Sequence, residues 1–345
     1  MTAEHQVVRH AQVGDRTVAW SSAGAGSPLV IGGWWASHLA LNWEDPAFQR
    51  FVRALARRHT VIRYDRPGTG LSDRDGPPPV SLGEELVILA GFLEAIEYPR
   101  VSLMGASSGS AVASAYAAEH PERVDRLVLY GSYPRGADIA PPAARELMAS
   151  IVENQWGLGA RVLADVFLPN ATAGERTEFA RFQRRSASRE TASRALRAVY
   201  EMDSAGYLVR VRVPTLVLHR HDDRAIPFAL GREVADTVPG ATFVALDGDD
   251  HFPWLGDSLA VVDAIDRFLD GLPPHAPVEP HTTVALTVRE REVLMLVAQG
   301  LTDAQIADRL FLSSHTVHRH IANARTKLGV PSRAAAAAWA LTHER

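Results

Sequence analysis

Val101-Ser102-Leu103-Met104-Gly105-Ala106-Ser107-Ser108-Gly109-Ser110 is the stretch on which the reading of this 345-residue chain turns. Residues 101–104 form a short apolar strand, and an Ala-rich helix follows to about His120. Small residues on either side of Ser107 permit a sharp strand-to-helix turn that pushes its hydroxyl out of the sheet. The same turn sets backbone N–H groups at a helix N-terminus, where they can hold an oxyanion. The spacing alone arises by chance in about one chain in ten of this length. Its plain alternative is an ordinary Gly/Ser-rich turn.

Outward from this turn, residues 29–31, 60–64, 127–130, 215–218 and 242–246 read as further strands separated by helical patterns. Apolar strands of this kind, alternating with helices, predict a mainly parallel sheet covered on both faces. A hairpin turning at Gly14-Asp15 joins residues 6–11 to 16–20 ahead of them. Between Gly131 and Val213 the alternation stops. Helix formers dominate there, with Trp156, Phe167, Phe179, Phe182, Tyr200 and Tyr207 scattered among them. A helical cap over a pocket is therefore expected at about residues 133–212, with most of these aromatics packing its core. A helix near 259–269 ends at Gly271, and Pro273, Pro274, Pro277 and Pro280 follow. Residues 272–284 read as a stiff proline-rich linker between a domain of residues 1–271 and one of residues 285–345.

Composition agrees with two domains, since single cores stop growing near about 250–300 residues. Hydrophobic content of 46% and charged content of 22% are ordinary globular values. No apolar run approaches the ~20 residues that span a bilayer. Met1-Thr2-Ala3-Glu4-His5 lacks a basic segment leading into an apolar one, so no signal peptide is read. A soluble cytoplasmic protein without a membrane partner is expected. Cysteine is absent, which excludes disulfides, thiolate catalysis and cysteine-ligated zinc. Residues 281–345 hold eight Lys and Arg against five Asp and Glu, a balance of +3, plus five histidines. The other 280 residues hold 28 basic and 35 acidic side chains, or −7. That asymmetry fits a nucleic-acid-facing tail on a body that does not bind nucleic acid.

Asp223 lies just after the strand at 215–218, with Pro227 four residues on, and His251 follows the strand at 242–246. The order Ser107, Asp223, His251 is that of α/β-hydrolases. Asp65-Arg66-Pro67-Gly68-Thr69-Gly70-Leu71-Ser72 and Gly32-Gly33-Trp34, each after a strand, agree with it. Over about residues 5–271 the body resembles the α/β-hydrolase superfamily. The resemblance implies Ser107 as nucleophile, His251 as base, Asp223 as the carboxylate orienting His251, and the N–H groups of Trp34 and Ser108 as oxyanion hole. Gly32-Gly33 stands where the family often has His-Gly, and Ser110 replaces a common second glycine. Ser108 and Asp222 are rivals by residue type, but the spacing favours Ser107 and Asp223. His219-Arg220-His221-Asp222-Asp223 resembles part of a metallohydrolase signature, with Arg224 in place of its last His. No metal or cofactor is expected.

In the tail, periodicity over 289–299 puts Val293, Leu294 and Val297 on one helical face, with Thr287 and Glu290 as a capping box. A second helix at 303–310 is capped by Thr302, and a third runs from its cap Ser313 to about Leu328. Helix, short turn, helix is the unit that lays its second helix in the major groove. Leu286-Thr287, Gly300-Leu301-Thr302, Ile306-Ala307, Thr316-Val317 and Lys327-Leu328-Gly329-Val330 carry the pattern, and about 286–341 resembles the LuxR/FixJ-type helix-turn-helix. A four-helix protein-interaction appendage is the alternative.

The resemblance implies that His318, Arg319 and Ala322 face the bases, with Arg319 suited to guanine. Ser314, His315, Thr316 and Arg325 would meet phosphate or flank the groove. Val317 would touch a thymine methyl or pack against the second helix. His315 and His318 stand where the family often has lysine, so DNA affinity is expected to rise as pH falls from about 7.5 to 6. The last helix, 332–341, either supports a homodimer or packs on the module's own first helix.

The fold class expected is thus α/β: an α/β-hydrolase sheet with a helical cap, followed by an all-α four-helix helix-turn-helix domain. The function expected is a transcriptional regulator of a double-stranded DNA operator that senses, and by its triad order hydrolyses, a small carbonyl compound such as an ester or lactone. The rival readings are a serine hydrolase whose tail serves localisation or oligomerisation, and a ligand sensor without turnover.

Overall fold

The apolar runs become strands buried on both sides. β1 (Val8–Val13), β2 (Arg16–Ala23), β3 (Ser27–Gly32), β4 (His59–Tyr64), β5 (Val101–Ala106), β6 (Val124–Tyr130), β7 (Thr215–Arg220) and β8 (Thr242–Leu246) form one sheet in the order β1-β2-β4-β3-β5-β6-β7-β8. β1 pairs with β2 and β2 with β4 antiparallel; the remaining pairs are parallel. The structure is a computed structural model that describes residues 6–32, 34–272, 286, 288–310, 312–328 and 333–342. Gly33, the proline segment and Thr287 with its proposed cap lie outside the described residues.

Alternation along each strand decides which core a side chain joins. Val30, Leu103, Leu127, Leu129 and Val217 enter one core; Leu29, Ile31, Met104, Val128, Leu216 and Leu218 enter the other. With both faces apolar, the strands must be covered twice. α1 (Leu39–Glu44) and α2 (Pro46–Leu55) follow β3, α3 (Leu82–Ala95) follows β4, and α4 (Ser108–Glu119) follows β5. Phe92 of α3 and Val112 and Ala115 of α4 join the first core, while Phe48, Phe51 and Leu55 of α2 join the second. Phe51 is 1% exposed, so Phe51→Ala would cost about 3–5 kcal/mol.

The helix-rich segment after β6 forms α5 (Pro142–Asn154), α6 (Trp156–Phe167), α7 (Ala173–Ser186), α8 (Arg189–Glu201) and the short α9 (Ala205–Leu208). Trp156, Ala160, Leu163, Ala180, Ala195 and Leu196 pack with Trp35 and Tyr133 into a third cluster. Thr172 and Glu175 cap α7 reciprocally, and the N–H and hydroxyl of Thr172 hold the Glu175 carboxyl below its ordinary range. The cap is tied to the sheet by the loop after β4. Gly70 N–H donates to Ser186 O at 2.9 Å, and Thr69 bridges to Ala187. α10 (Phe228–Thr237) and α11 (Ser258–Leu269) complete this unit, with Val234 in the first core and Val261, Ile265 and Phe268 in the second.

Contacts divide the chain into two compact units, Met1–Pro274 and His275–Arg345. The second is all helical: α12 (Val288–Ala298), α13 (Asp303–Leu310), α14 (Ser314–Leu328) and α15 (Arg333–Thr342). α12 buries two stripes. Val293, Leu296 and Val297 meet Ile306, Ala307, Val317 and Ile321, whereas Leu294 joins Leu286, Ala324, Ala336 and Ala340. Ala336 and Ala340 of α15 thus serve the module's own core together with Leu294 of α12. Among the described residues no helix is long and apolar enough to cross a membrane.

Candidate active site and nucleic-acid interface

Ser107 sits where β5 gives way to α4, with φ 53° and ψ −125°. Left-handed φ is strained for a residue with a side chain, by about 1–3 kcal/mol, and is kept where surrounding structure fixes it. Here the fixation is visible. Ser107 N–H donates to Tyr130 O at 2.9 Å, and Ser110 N–H donates to Ser107 O at 2.9 Å. The Ser110 hydroxyl, placed where a second glycine was anticipated, donates to Gly105 O at 3.0 Å and so fastens the turn. A Cβ on Gly105 would stand 2.4 Å from Gly109 O and 2.8 Å from Ser110 Cα, so only glycine lets α4 lie this close to β5. Ser108 is the first residue of α4 and is buried at 1% exposure, whereas Ser107 is half-buried.

His251 Nδ1 lies 2.9 Å from Asp223 Oδ2, both residues buried. A carboxylate only accepts, so Nδ1 is a protonated nitrogen that donates to it. The other oxygen of Asp223 accepts the N–H groups of Ala225 at 2.9 Å and Ile226 at 3.2 Å. Burial by itself would raise this carboxyl. The charge and hydrogen bond of His251, with His219 and the Ile226 N–H, outweigh it and hold Asp223 below the ordinary carboxylate range. Asp222, its rival, is exposed. The pair stands beside the serine turn: a Cβ on Gly131, the residue after the Ser107 acceptor Tyr130, would lie 3.5 Å from His251 Cε1 and 3.6 Å from Asp223 Oδ2. Strand register explains the meeting, because Ala106, Tyr130 and Leu218 are neighbours across β5, β6 and β7. The loops that follow these strand ends therefore emerge at one edge of the sheet.

His219 is turned away from any metal-binding arrangement. Its Nε2–H donates to Ile226 O at 3.0 Å, and burial holds the ring's pKa below its ordinary value. Among the described residues no cluster of three His, Asp or Glu is placed to hold a metal. Trp34, after β3, is buried against Phe48 and Trp254, ring centroids 6.5 and 5.3 Å away. Asp65, after β4, accepts the N–H groups of Leu39 at 3.0 Å and Leu71 at 2.9 Å, which ties the Trp34 loop to the loop holding the cap.

Several site features escaped the sequence reading. Phe167, at the end of α6, stacks on the His251 ring with centroids 5.3 Å apart and planes at 18°. Asn170, just beyond it, donates to Asp249 at 2.6 Å. No motif marks either residue; only the cap's docking brings them to the histidine loop. A cavity of about 340 Å³, lined among others by Arg9, Trp20, Trp43 and Arg63, opens at the antiparallel edge, and none of its lining residues belongs to this site.

In the C-terminal unit Thr302 and Gln305 cap α13, and the Ser313 hydroxyl accepts Thr316 N–H at 3.1 Å to start α14. Along α14, His318 and Ala322 are exposed and Thr316 and Arg325 half-buried. The side chains of Ser314, His315 and Arg319 lie outside the described residues. Val317 requires a correction. It is 0% exposed in the core with Val293 and Ile306, so it packs against the second helix instead of touching a thymine methyl. His318 Nδ1 stands 3.6 Å from Asp303 Oδ2, and Asp303 also pairs with Arg333.

Comparison with known proteins accords with both units. Residues 29–264 match the model of the Alpha/beta hydrolase family, and residues 284–340 match that of the bacterial regulatory proteins of the luxR family. The chain is 32% identical over 263 residues to a 2-hydroxy-6-oxo-2,4-heptadienoate hydrolase from Pseudomonas putida, covering 71% of this chain and 90% of that protein. It is 25% identical over 240 residues to the pyrrolizixenacetamide deacetylase of Xenorhabdus hominickii, covering 68% of this chain and 88% of that one. The crystal structure of the enol-lactonase from Burkholderia xenovorans LB400 superposes with a TM-score of 0.62 at 23% identity, over 76% of this chain and 100% of that one. The chain therefore belongs to the alpha/beta hydrolase family and carries a luxR-family helix-turn-helix domain at its C-terminal end.

Proposed function

We propose that this protein is a cytoplasmic DNA-binding transcriptional regulator whose hydrolase domain binds and cleaves a small ester or lactone. The observation that carries the chemistry is the buried His251–Asp223 pair at 2.9 Å beside a serine held in the left-handed turn at the head of α4. In this reading Ser107 Oγ attacks the carbonyl carbon and gives its proton to His251 Nε2. The oxyanion is held by the N–H groups of Trp34 and Ser108, the latter at the positive end of α4. His251 then returns the proton to the departing alkoxide. Water, deprotonated by the same imidazole, releases the acid from the acyl-serine. Relatives described as a hydrolase, a deacetylase and an enol-lactonase support a carbonyl-directed reaction.

DNA recognition is assigned to α14, through His318, Arg319 and Ala322 toward the bases and Ser314, His315, Thr316 and Arg325 toward phosphate. One small module binds weakly, so a homodimer on paired half-sites about one helical turn apart is the assembly proposed. Two experiments test the reading. A serine-directed fluorophosphonate should label the native protein and not Ser107→Ala; no labelling of either removes the hydrolase assignment. Footprinting on genomic DNA should show sequence-specific protection, and its absence removes the regulator assignment. Operator binding with and without candidate ligands, repeated on Ser107→Ala, then separates turnover from occupancy as the signal.

A further inference from the structure

Arg220 is the largest fully buried side chain of the described residues, 2% exposed, and its charge acts on the nearby Asp250 carboxyl, opposing the rise that burial causes there. A guanidinium taken out of water must have its N–H groups held by hydrogen bonds, or it costs several kcal/mol. Its bonds all lead to one place. Nη2 donates to Leu255 O at 2.6 Å, Nη1 to Asp247 O at 3.3 Å, and Nε to the Tyr130 hydroxyl at 2.8 Å. That hydroxyl in turn donates to Asp250 O at 3.4 Å. Three carbonyls of the loop 247–256 are thus bound to Arg220, directly or through one hydroxyl, and His251 lies in the middle of that loop.

The loop is also shaped around the guanidinium. Gly248 and Gly256 both have positive φ, 102° and 56°. A Cβ on Gly256 would stand 2.5 Å from Asp250 Oδ2 and 2.6 Å from Arg220 Nη1, and one on Gly248 would stand 3.1 Å from Nη1. Arg220 ends β7 and Asp223 follows three residues later, so one strand end supplies both the carboxylate facing His251 and the cation anchoring its loop. We propose that Arg220 is a positioning residue of the catalytic site, fixing the loop 247–256 so that the His251 ring meets Asp223 and Ser107. The proposal rests on the reading of His251 as the general base.

The test uses the full-length protein as native, Arg220→Met and Arg220→Lys forms. Hydrolysis of p-nitrophenyl butyrate, fluorophosphonate titration of active serines, and amide hydrogen exchange across 247–256 are measured. Misplacing a reacting group by about 1 Å costs on the order of 10²-fold. Arg220→Met should therefore lower kcat per titrated serine about 100-fold with KM within about threefold, and lose exchange protection in the loop. Arg220→Lys, whose ammonium can still bind one carbonyl, should recover about tenfold. Unchanged kcat per titrated serine, or unchanged protection, in folded Arg220→Met overturns the proposal. If Arg220→Met does not fold, Arg220→Lys decides it by the same readouts: kcat per titrated serine about tenfold below native with a partial loss of loop protection supports the proposal, and native values of both overturn it. If native protein and Ser107→Ala are equally inert to both reagents, the hydrolase reading fails separately. Loop exchange then still decides whether Arg220 fixes the loop.

Discussion

Asp223→Asn is the change whose outcome the structure specifies most fully. Asp223 Oδ1 accepts two backbone N–H groups, from Ala225 and Ile226, while Oδ2 faces His251 Nδ1. An asparagine at this place can satisfy both N–H donors only by putting its carbonyl oxygen at the Oδ1 position. Its NH2 then points at His251. That amide N–H donates to Nδ1, so the imidazole proton moves to Nε2, the atom that in the proposed mechanism accepts the proton of Ser107. The shape of the site stays and the tautomer is wrong. In serine triads this change costs about 10⁴ in kcat. Four decades correspond to about 5.4 kcal/mol of barrier, at about 1.36 kcal/mol per decade. The assay is p-nitrophenyl butyrate hydrolysis together with the rate of fluorophosphonate labelling, on native, Asp223→Asn and Ser107→Ala protein of matched thermal stability. Both rates should fall by three to four decades, on the order expected for a lost tautomer. Asp223→Asn retaining activity within tenfold of native would show that the pair does not prepare His251 as a base, and the reasoning would be refuted.

Three further outcomes follow from the same geometry. Burial lowers the pKa of His219 from its ordinary 6.5, so below about pH 6.5 the unfolded chain takes up a proton that the folded one refuses. Stability is complete above that pH and declines as pH falls toward the folded value; His219→Asn should flatten the fall in Tm between about pH 7 and 5, and an unchanged slope would place the cause elsewhere. Gly105→Ala sets a Cβ 2.4 Å from the Gly109 carbonyl, so α4 must shift at a cost on the order of 1–3 kcal/mol, read as a lower Tm and slower labelling of Ser107. In the DNA-binding unit, Arg325→Ala removes a cation proposed to meet phosphate. Affinity should fall and the slope of log K against log salt should flatten by about 0.9; an unaltered salt slope would take Arg325 away from the phosphates.

The alpha/beta hydrolase fold and the luxR-family helix-turn-helix were legible in the chain because each rests on local patterns: apolar strands alternating with helices, a strand ending in a small-residue turn, and short helices begun by the caps Thr302 and Ser313. Apolar runs facing both ways likewise announced a sheet covered twice, and Leu29, Val30 and Ile31 do divide between two cores. What the chain could not show were meetings between segments far apart in sequence. Phe167 reaches His251 only because the cap docks there, and Arg220 serves the histidine loop only because β7 and the segment after β8 end side by side. Val317 illustrates the same limit in the second unit. Its place in a recognition-helix motif left two readings open, and packing against Ile306 and Val293 settled them by removing it from the surface. Local sequence determines where a strand, turn or cap can begin, since propensity and hydrogen bonding act over a few residues. Which side chains end up facing His251, and which disappear into the core, is decided by long-range packing, because burial depends on the whole set of neighbours at once.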